Sequence, residues 1–130
     1  WSGDISPDYT PFEAGLGFAV NLNKGDFIGR DALVKQKEEG ITQKLVCLSL
    51  ENSDIVVLGK EPIRADGEII GWVASGGYGY SVGKSIAYGY LPVEYAKAGT
   101  ELEIEIFEER VNAIIERDPL WDPKGTRIKA

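Results

Sequence analysis

Short segments in which large apolar residues alternate with polar ones dominate the chain after Gly40, and turn residues separate them. A period of two is the pattern of a β-strand that buries one face. The run from Glu101 to Phe107 alternates strictly, whereas Gln43 to Glu51 is apolar on both faces and predicts a covered strand. Asp66-Gly67, between two such runs, is typical of a hairpin turn. These segments predict a mainly β protein.

The predicted strands are six or seven in number and follow one another through short turns. A closed sheet leaves no unpaired edge, so we expect an antiparallel, jelly-roll-like barrel. We expect one N-terminal helix before the barrel, because Arg30 to Glu39 is rich in helix formers and Gly40 fits the C-terminal cap of such a helix. The apolar alternation from Leu16 to Leu22 predicts a further strand ahead of that helix.

Composition excludes several classes of function. The chain has 14 basic and 21 acidic residues and a net charge of −7, which disfavours a nucleic-acid partner. It has no histidine and one cysteine, Cys47, so His-based catalytic triads and zinc or iron–sulfur sites are not expected. Its apolar runs are far shorter than the ~20 residues of a membrane span. Without a disulfide framework, Cys47 is interpreted as a buried apolar residue in a reducing compartment.

The glycine-rich stretch from Gly76 to Gly83 invites comparison with a phosphate-binding loop. Tyr78 stands where a Walker loop needs its first glycine, and Val82 where a dinucleotide fingerprint needs its third. Strand-forming residues follow where both motifs need a helix, so we expect a bent or bulged barrel corner instead. The alternating glutamates at 101–105 are typical of a solvated strand face. The tyrosine pairs in and after the glycine-rich stretch are interpreted as strand packing. The residues alone predict a domain without a self-sufficient active site.

Several motifs, in order, resemble the glycine-cleavage T-protein (aminomethyltransferase) family. The sequence from Thr10 to Leu33 resembles the segment that leads into the C-terminal barrel of that family. The runs from Gly71 to Gly76 and from Ser85 to Pro92 resemble the body of the barrel. The ending Asp118 to Pro123, with residues 78–84, is closer to the dimethylglycine and sarcosine dehydrogenase branch.

This resemblance implies two regions. Residues 1–42 are expected to form a linker, strand and helix that lead out of a preceding folate-binding domain, and residues 43–130 the C-terminal aminomethyltransferase-type β-barrel. In the dehydrogenase branch an upstream flavin domain binds FAD and oxidises a small N-methyl amine. The released one-carbon unit then becomes 5,10-methylenetetrahydrofolate in the T-protein-like half. The catalytic aspartate and the pteridine-binding glutamate of the family lie before this chain, so no catalytic residue is expected in it.

The resemblance also suggests which residues meet tetrahydrofolate. A basic residue near the N-terminal strand would bind the glutamate tail of folate, and Lys24 is the first match, with Arg30 the second. Arg127 is the candidate from the C-terminal tail. An ordinary solvated lysine remains an alternative for Lys24, and Glu13 is expected to be structural.

The resemblance further implies partners and a compartment. The upstream folate-binding and flavin domains are the expected partners, without nucleic acid or membrane, and an exposed apolar patch near Trp1, Ile5 and Phe12 would face them. The expected compartment is the cytoplasm, or the mitochondrial matrix in a eukaryote. A glycine cleavage T protein and a non-catalytic protein-interaction module remain alternative functions.

Overall fold

Six antiparallel strands close into a barrel in a computed structural model that describes residues 2–129. The strand order around the barrel is β1-β4-β3-β2-β5-β6, which confirms the predicted mainly β, closed architecture. A short 3-10 helix and one α-helix precede the strands. The elements are the 3-10 helix Gly17–Ala19, α1 Arg30–Glu39, β1 Gln43–Leu50, β2 Pro62–Ala65, β3 Glu68–Gly79, β4 Lys84–Pro92, β5 Glu101–Ile106 and β6 Glu109–Glu116.

Alternate residues of the strands fill the inside of the barrel. Leu48, Ile63, Leu91 and Ile104 have no exposed side-chain surface and belong to one apolar cluster contributed by every strand. Burying such side chains is the main source of stability in a domain of this size. The barrel interior is therefore a packed core rather than a ligand cavity.

The shortest described strand pairing of the barrel is the one between β2 and β5. The described pairing there consists of Ile63 with Ile104 and Arg64 with Glu103. An ion pair crosses the same joint, since Arg64 Nε lies 2.6 Å from Glu105 Oε2. Side chains thus supplement a short backbone ladder at this joint.

Gly89 is required by the close approach of β4 to its neighbours. A Cβ atom at this position would lie 2.7 Å from Ile63 Cδ1 and 2.8 Å from the backbone oxygen of Trp72. Neither the packed core nor the backbone of β3 can move away cheaply. By contrast, a Cβ at Gly77 would meet nothing within 4 Å.

The glycine-rich stretch continues the sheet. Gly77 and Gly79 pair regularly with β4, and the bulge of β3 lies earlier, between Val73 and Ser75. A turn and then a strand follow, which agrees with the exclusion of a phosphate loop. The expected irregularity is present but lies before the glycines rather than among them.

The strand expected from Leu16 to Leu22 is wrong. The structure has the 3-10 helix there, and among the described residues this stretch joins no strand ladder. Gly15 has a φ of +74°, and the Leu16 N–H donates to the Pro11 carbonyl, so the chain folds back on itself just before the predicted strand. Apolar alternation indicates two faces, but it supplies no partner strand, and Phe18 is 88% exposed.

Helix α1 is confirmed at the predicted residues. It ends at Gly40, which has a φ of +86° and donates its N–H to the Gln36 carbonyl. None of the helix residues is buried. No helix in residues 2–129 combines the length and the hydropathy needed to cross a bilayer.

Candidate functional site

The N-terminal segment, residues 2–29, is fastened to the outside of the barrel. The ring of Tyr9 stacks on that of Tyr90 in β4 with 3.5 Å between centroids and 5° between planes. The Tyr90 hydroxyl donates to the Asp4 carbonyl oxygen at 2.7 Å, and Ser75 Oγ donates to Asp4 Oδ1 at 2.6 Å. Burial, followed by the nearby Tyr9 and carboxylates, raises the pKa of Tyr90 to about 12. Its hydroxyl therefore remains a hydrogen-bond donor at neutral pH.

Glu13 is the second fastening point of the segment. It is 7% exposed, and its Oε2 accepts hydrogen bonds from the backbone N–H and the hydroxyl of Thr10 at 2.8 and 3.1 Å. Gln43 Nε2 donates to Oε1 at 3.3 Å, while the Leu45 N–H donates to the Glu13 carbonyl. A buried carboxylate engaged at both oxygens positions the chain, which matches the structural role expected for it.

A cleft of about 650 Å³ opens between the N-terminal segment and the barrel. The segment contributes Gly15, Leu16 and Phe18 to one wall. The opposite wall contains Cys47 of β1 and Asp118 of the C-terminal tail. None of the three predicted cations Lys24, Arg30 and Arg127 lines this cleft.

Lys24, on the N-terminal segment, and Arg30, at the start of α1, have different surroundings. Lys24 is exposed, with its Nζ 5.1 Å from the centroid of the Phe27 ring. Arg30 donates from Nε to the Leu22 carbonyl at 3.0 Å, and its Nη1 lies 3.6 Å from Asp31 Oδ1. Arg30 is therefore engaged by the Leu22 carbonyl and Asp31, whereas the described ion pairs leave Lys24 without a carboxylate partner.

Arg127 lies at the other end of the chain, in the C-terminal strap, residues 117–129. Its Cζ is 4.5 Å from the centroid of the Trp121 ring, and its backbone N–H donates to Asp122. No hydrogen bond or ion pair within the described chain connects it to Lys24 or Arg30. The three residues remain predicted folate contacts: Lys24 on the N-terminal segment, Arg30 at the start of α1 and Arg127 on the strap.

Sequence reasoning missed a polar cluster on the outer face of β1, β4 and β6. Glu116 Oε1 accepts hydrogen bonds from Ser49 Oγ at 2.7 Å and from Lys84 Nζ at 3.0 Å. The hydrogen bond from Ser49 makes the largest contribution to lowering the pKa of Glu116, and the hydrogen bond from the Lys84 ammonium makes the next largest. The residues come from three strands, so only the strand order, which the sequence pattern does not give, could have revealed the cluster.

Cys47 is buried beside this cluster, as predicted. Burial raises the pKa of its thiol to about 11 despite an opposing hydrogen bond with Tyr88. A protonated, buried thiol is a poor nucleophile. Across residues 2–129, no three cysteine or carboxylate side chains lie close enough together to hold a metal ion.

Comparison with known proteins places this arrangement in a family. Residues 43–122 match the glycine cleavage T-protein C-terminal barrel domain. The chain belongs to this family. The match begins at the first residue of β1, so it covers the barrel and part of the strap.

Relatives come from two kinds of protein. Mitochondrial dimethylglycine dehydrogenase of Rattus norvegicus is 38% identical over 99% of this chain, and that of Homo sapiens is 39% identical over 98%. An aminomethyltransferase of Rippkaea orientalis is 44% identical over 93% of the chain. The chain spans 15% of the length of each dehydrogenase and 33% of that aminomethyltransferase.

A solved structure shows the same architecture. Glycine cleavage system aminomethyltransferase T from Bartonella henselae superimposes with a TM-score of 0.86 and 29% identity. The superposition covers 93% of this chain and 34% of that one. The chain therefore corresponds to the C-terminal domain of a family that includes aminomethyltransferases and dimethylglycine dehydrogenases.

Proposed function

We propose that the chain is the C-terminal domain of a flavin- and tetrahydrofolate-dependent N-methyl amine dehydrogenase of the dimethylglycine or sarcosine type. In this proposal it completes the wall of the folate site, where the released one-carbon unit becomes 5,10-methylenetetrahydrofolate. FAD and the catalytic groups belong to upstream domains, in the cytoplasm or the mitochondrial matrix.

The observation that carries this proposal is the extent of the dehydrogenase matches. Dimethylglycine dehydrogenases from three mammals align with 98–99% of the chain, whereas five aminomethyltransferases, including that of Rippkaea orientalis, align with 88–93%. The dehydrogenase matches thus extend over nearly all of the segment, barrel and strap together.

The surface of the N-terminal segment supports a contact with another domain. Phe18 and Ile28 are almost fully exposed on it, and exposed apolar side chains on an anchored segment are typical of a contact surface. Of the residues expected in such a patch, Ile5 is exposed. Phe12 is half-buried, with its ring packed close to Gly17, and Trp1 lies outside the described residues.

Lys24 and Arg127 fit the role of cations for the folate tail. Neither takes part in the ion pairs of the described chain, so each retains a charge for carboxylates. A lysine ammonium binds such carboxylates by charge-assisted hydrogen bonds. Bound tetrahydrofolate would supply the acceptor for the one-carbon unit. The residues of this chain would orient its tail and help to exclude water.

Titration of folates into the whole protein tests the role of Lys24. We expect Lys24→Gln to weaken binding of a polyglutamylated tetrahydrofolate about 3- to 10-fold and to affect the monoglutamate less, because the substitution removes one charge near the tail. Lys37→Gln, on the exposed face of α1, is the matched control and should leave both affinities unchanged.

Two results would contradict the proposal. Identical folate titrations for the Lys24→Gln and parent proteins would remove Lys24 from the site. Tight binding by the 130-residue chain alone, equal to that of the whole T-protein-like half, would contradict the division of labour between domains.

An aminomethyltransferase is the second candidate function, because the Rippkaea orientalis protein is 44% identical to the chain, against 38–40% for the dehydrogenases. Sequencing the gene upstream distinguishes the two. A preceding FAD-binding domain is expected for the dehydrogenase and not for the aminomethyltransferase.

A further inference from the structure

A pocket of about 380 Å³ lies between the tip of the β3–β4 hairpin and the C-terminal strap. Tyr80, Tyr88, Asp118 and Trp121 are among the residues that line it, and we call it the aromatic pocket. We propose that the aromatic pocket binds the methylated ammonium group of a small ligand.

The aromatic rings provide the surface that such a cation needs. Tyr80 is 89% exposed, and its ring is held edge-on by Tyr78 with 5.0 Å between centroids and 76° between planes. Trp121 is about half exposed on the opposite, strap side. Aromatic faces attract cations through the negative charge on the ring face, and tryptophan does so best.

Trp121 already holds a cation in this structure. The guanidinium carbon of Arg127 is 4.5 Å from the centroid of its ring, within the ~6 Å range of cation–π contacts. The Trp121 ring therefore attracts a positive group in this fold. Arg127 itself is not among the residues that line the aromatic pocket.

Asp118 gives the pocket its charge. Its Oδ1 accepts a hydrogen bond from the Tyr88 hydroxyl at 2.7 Å, which fixes the carboxylate against the wall. Among residues 2–129, Oδ2 accepts no hydrogen bond, and no lysine or arginine forms an ion pair with Asp118. An anion without a counter-ion, beside aromatic rings, selects a positive ligand.

Methylation is what distinguishes the expected ligand from other cations. Bare ammonium groups and metal ions are strongly hydrated, so an apolar wall does not repay the loss of their water. Methyl groups on the nitrogen spread the charge and pack against the rings, which is how aromatic cages recognise quaternary ammonium groups. A neutral ligand of the same shape would leave the Asp118 carboxylate without a partner.

This inference is independent of the folate proposal. The residues that line the aromatic pocket belong to the β3–β4 hairpin and the strap, and none of the predicted folate contacts Lys24, Arg30 and Arg127 is among them. The titrations below also need neither folate nor upstream domains. Failure of either proposal would thus leave the other standing.

Choline and its neutral isostere 3,3-dimethyl-1-butanol are the probes, titrated into the 130-residue chain and followed by NMR of the tryptophan indole signals. We expect choline to shift the Trp121 signal saturably, with a Kd on the order of 1 mM, and the alcohol to bind at least about 10-fold more weakly. Equal affinities for the two probes, or no saturable shift with choline, would overturn the proposal.

Two variants and one control locate the site. We expect Trp121→Leu to abolish choline binding and Asp118→Asn to weaken it about 3- to 10-fold. Trp72→Leu is the control, since Trp72 is also exposed but lines another cleft. Unchanged thermal melting confirms that each variant folds. Choline binding unaffected by Trp121→Leu or Asp118→Asn would contradict the assignment.

Discussion

The barrel and the region before it are held in place by different interactions. In the barrel, β1 to β6 surround a continuous cluster of buried aliphatic side chains. In residues 2–42, by contrast, the described buried residue is the carboxylate Glu13, and the contacts to the barrel are hydrogen bonds and one tyrosine stack. The apolar core therefore determines whether the chain folds, and a few polar contacts determine where the N-terminal region lies.

The largest effect is expected from a cavity in the barrel. Leu48 is 0% exposed, so Leu48→Ala should lower the free energy of unfolding by about 2–5 kcal/mol. Urea denaturation followed by circular dichroism measures this loss. The matched Leu58→Ala, at a largely exposed leucine, should stay within about 0.5 kcal/mol of the parent, and equal losses for both would contradict the comparison.

Overpacking the barrel should have the next largest effect. In Gly89→Ala the new methyl group would meet Ile63 and the backbone of Trp72, and we expect a loss of about 1–3 kcal/mol in the free energy of unfolding. Gly77→Ala, in the neighbouring strand with open space around it, is the control and should cost nothing. If Gly89→Ala melted at a higher temperature than Gly77→Ala, the barrel would be shown to accommodate the extra methyl group at position 89.

A smaller, local effect is expected at the fastening point of the N-terminal segment. Glu13→Gln removes the charge that accepts the Thr10 bonds and should destabilise the docked segment by about 1 kcal/mol. Hydrogen exchange should then quicken in residues 2–29 and remain unchanged in β1 to β6. Faster exchange throughout the barrel would show that the two regions unfold together.

The smallest effect concerns acid stability. The pKa of Glu116 is lowered from 4.5 in the folded chain, so its ionised form adds stability above pH 4.5 that is lost as the pH falls through the folded pKa. Glu116→Gln should flatten the decline of melting temperature below pH 4.5 relative to the parent. Identical pH profiles for the two proteins would show that Ser49 and Lys84 do not favour the ionised carboxylate.

The sequence predicted the barrel well because its signals are local. Gly40 marked the end of α1, and Asp66-Gly67 marked the hairpin between β2 and β3, as the structure confirms. The apolar alternation from Leu16 to Leu22 wrongly predicted a strand, because this stretch has no partner strand in the described chain and contains a 3-10 helix. Strand pairing is decided by distant residues, so a short window cannot distinguish a paired strand from a folded-back segment.

The candidate sites depend still more on distant contacts. Tyr80 and Trp121 line one pocket because the strap crosses the β3–β4 hairpin, and no spacing along the chain indicates this. The tyrosine pairs were interpreted as strand packing, which describes Tyr90 but leaves Tyr80 exposed. Lys24, Arg30 and Arg127 came from family resemblance rather than from pattern, and they stay predictions until folate binding is measured.

The short joint between β2 and β5 gives the barrel a preferred line of opening. Every other strand pair of the barrel has at least four described residue pairs, whereas β2 and β5 are joined by two and by the Arg64–Glu105 ion pair, so the barrel should open first there. Separation at this line would turn the cylinder into an open sheet with β2 and β5 at its free edges. The concave face of that sheet would carry Ile63 and Ile104, so an unzipped barrel would expose an aggregation-prone surface.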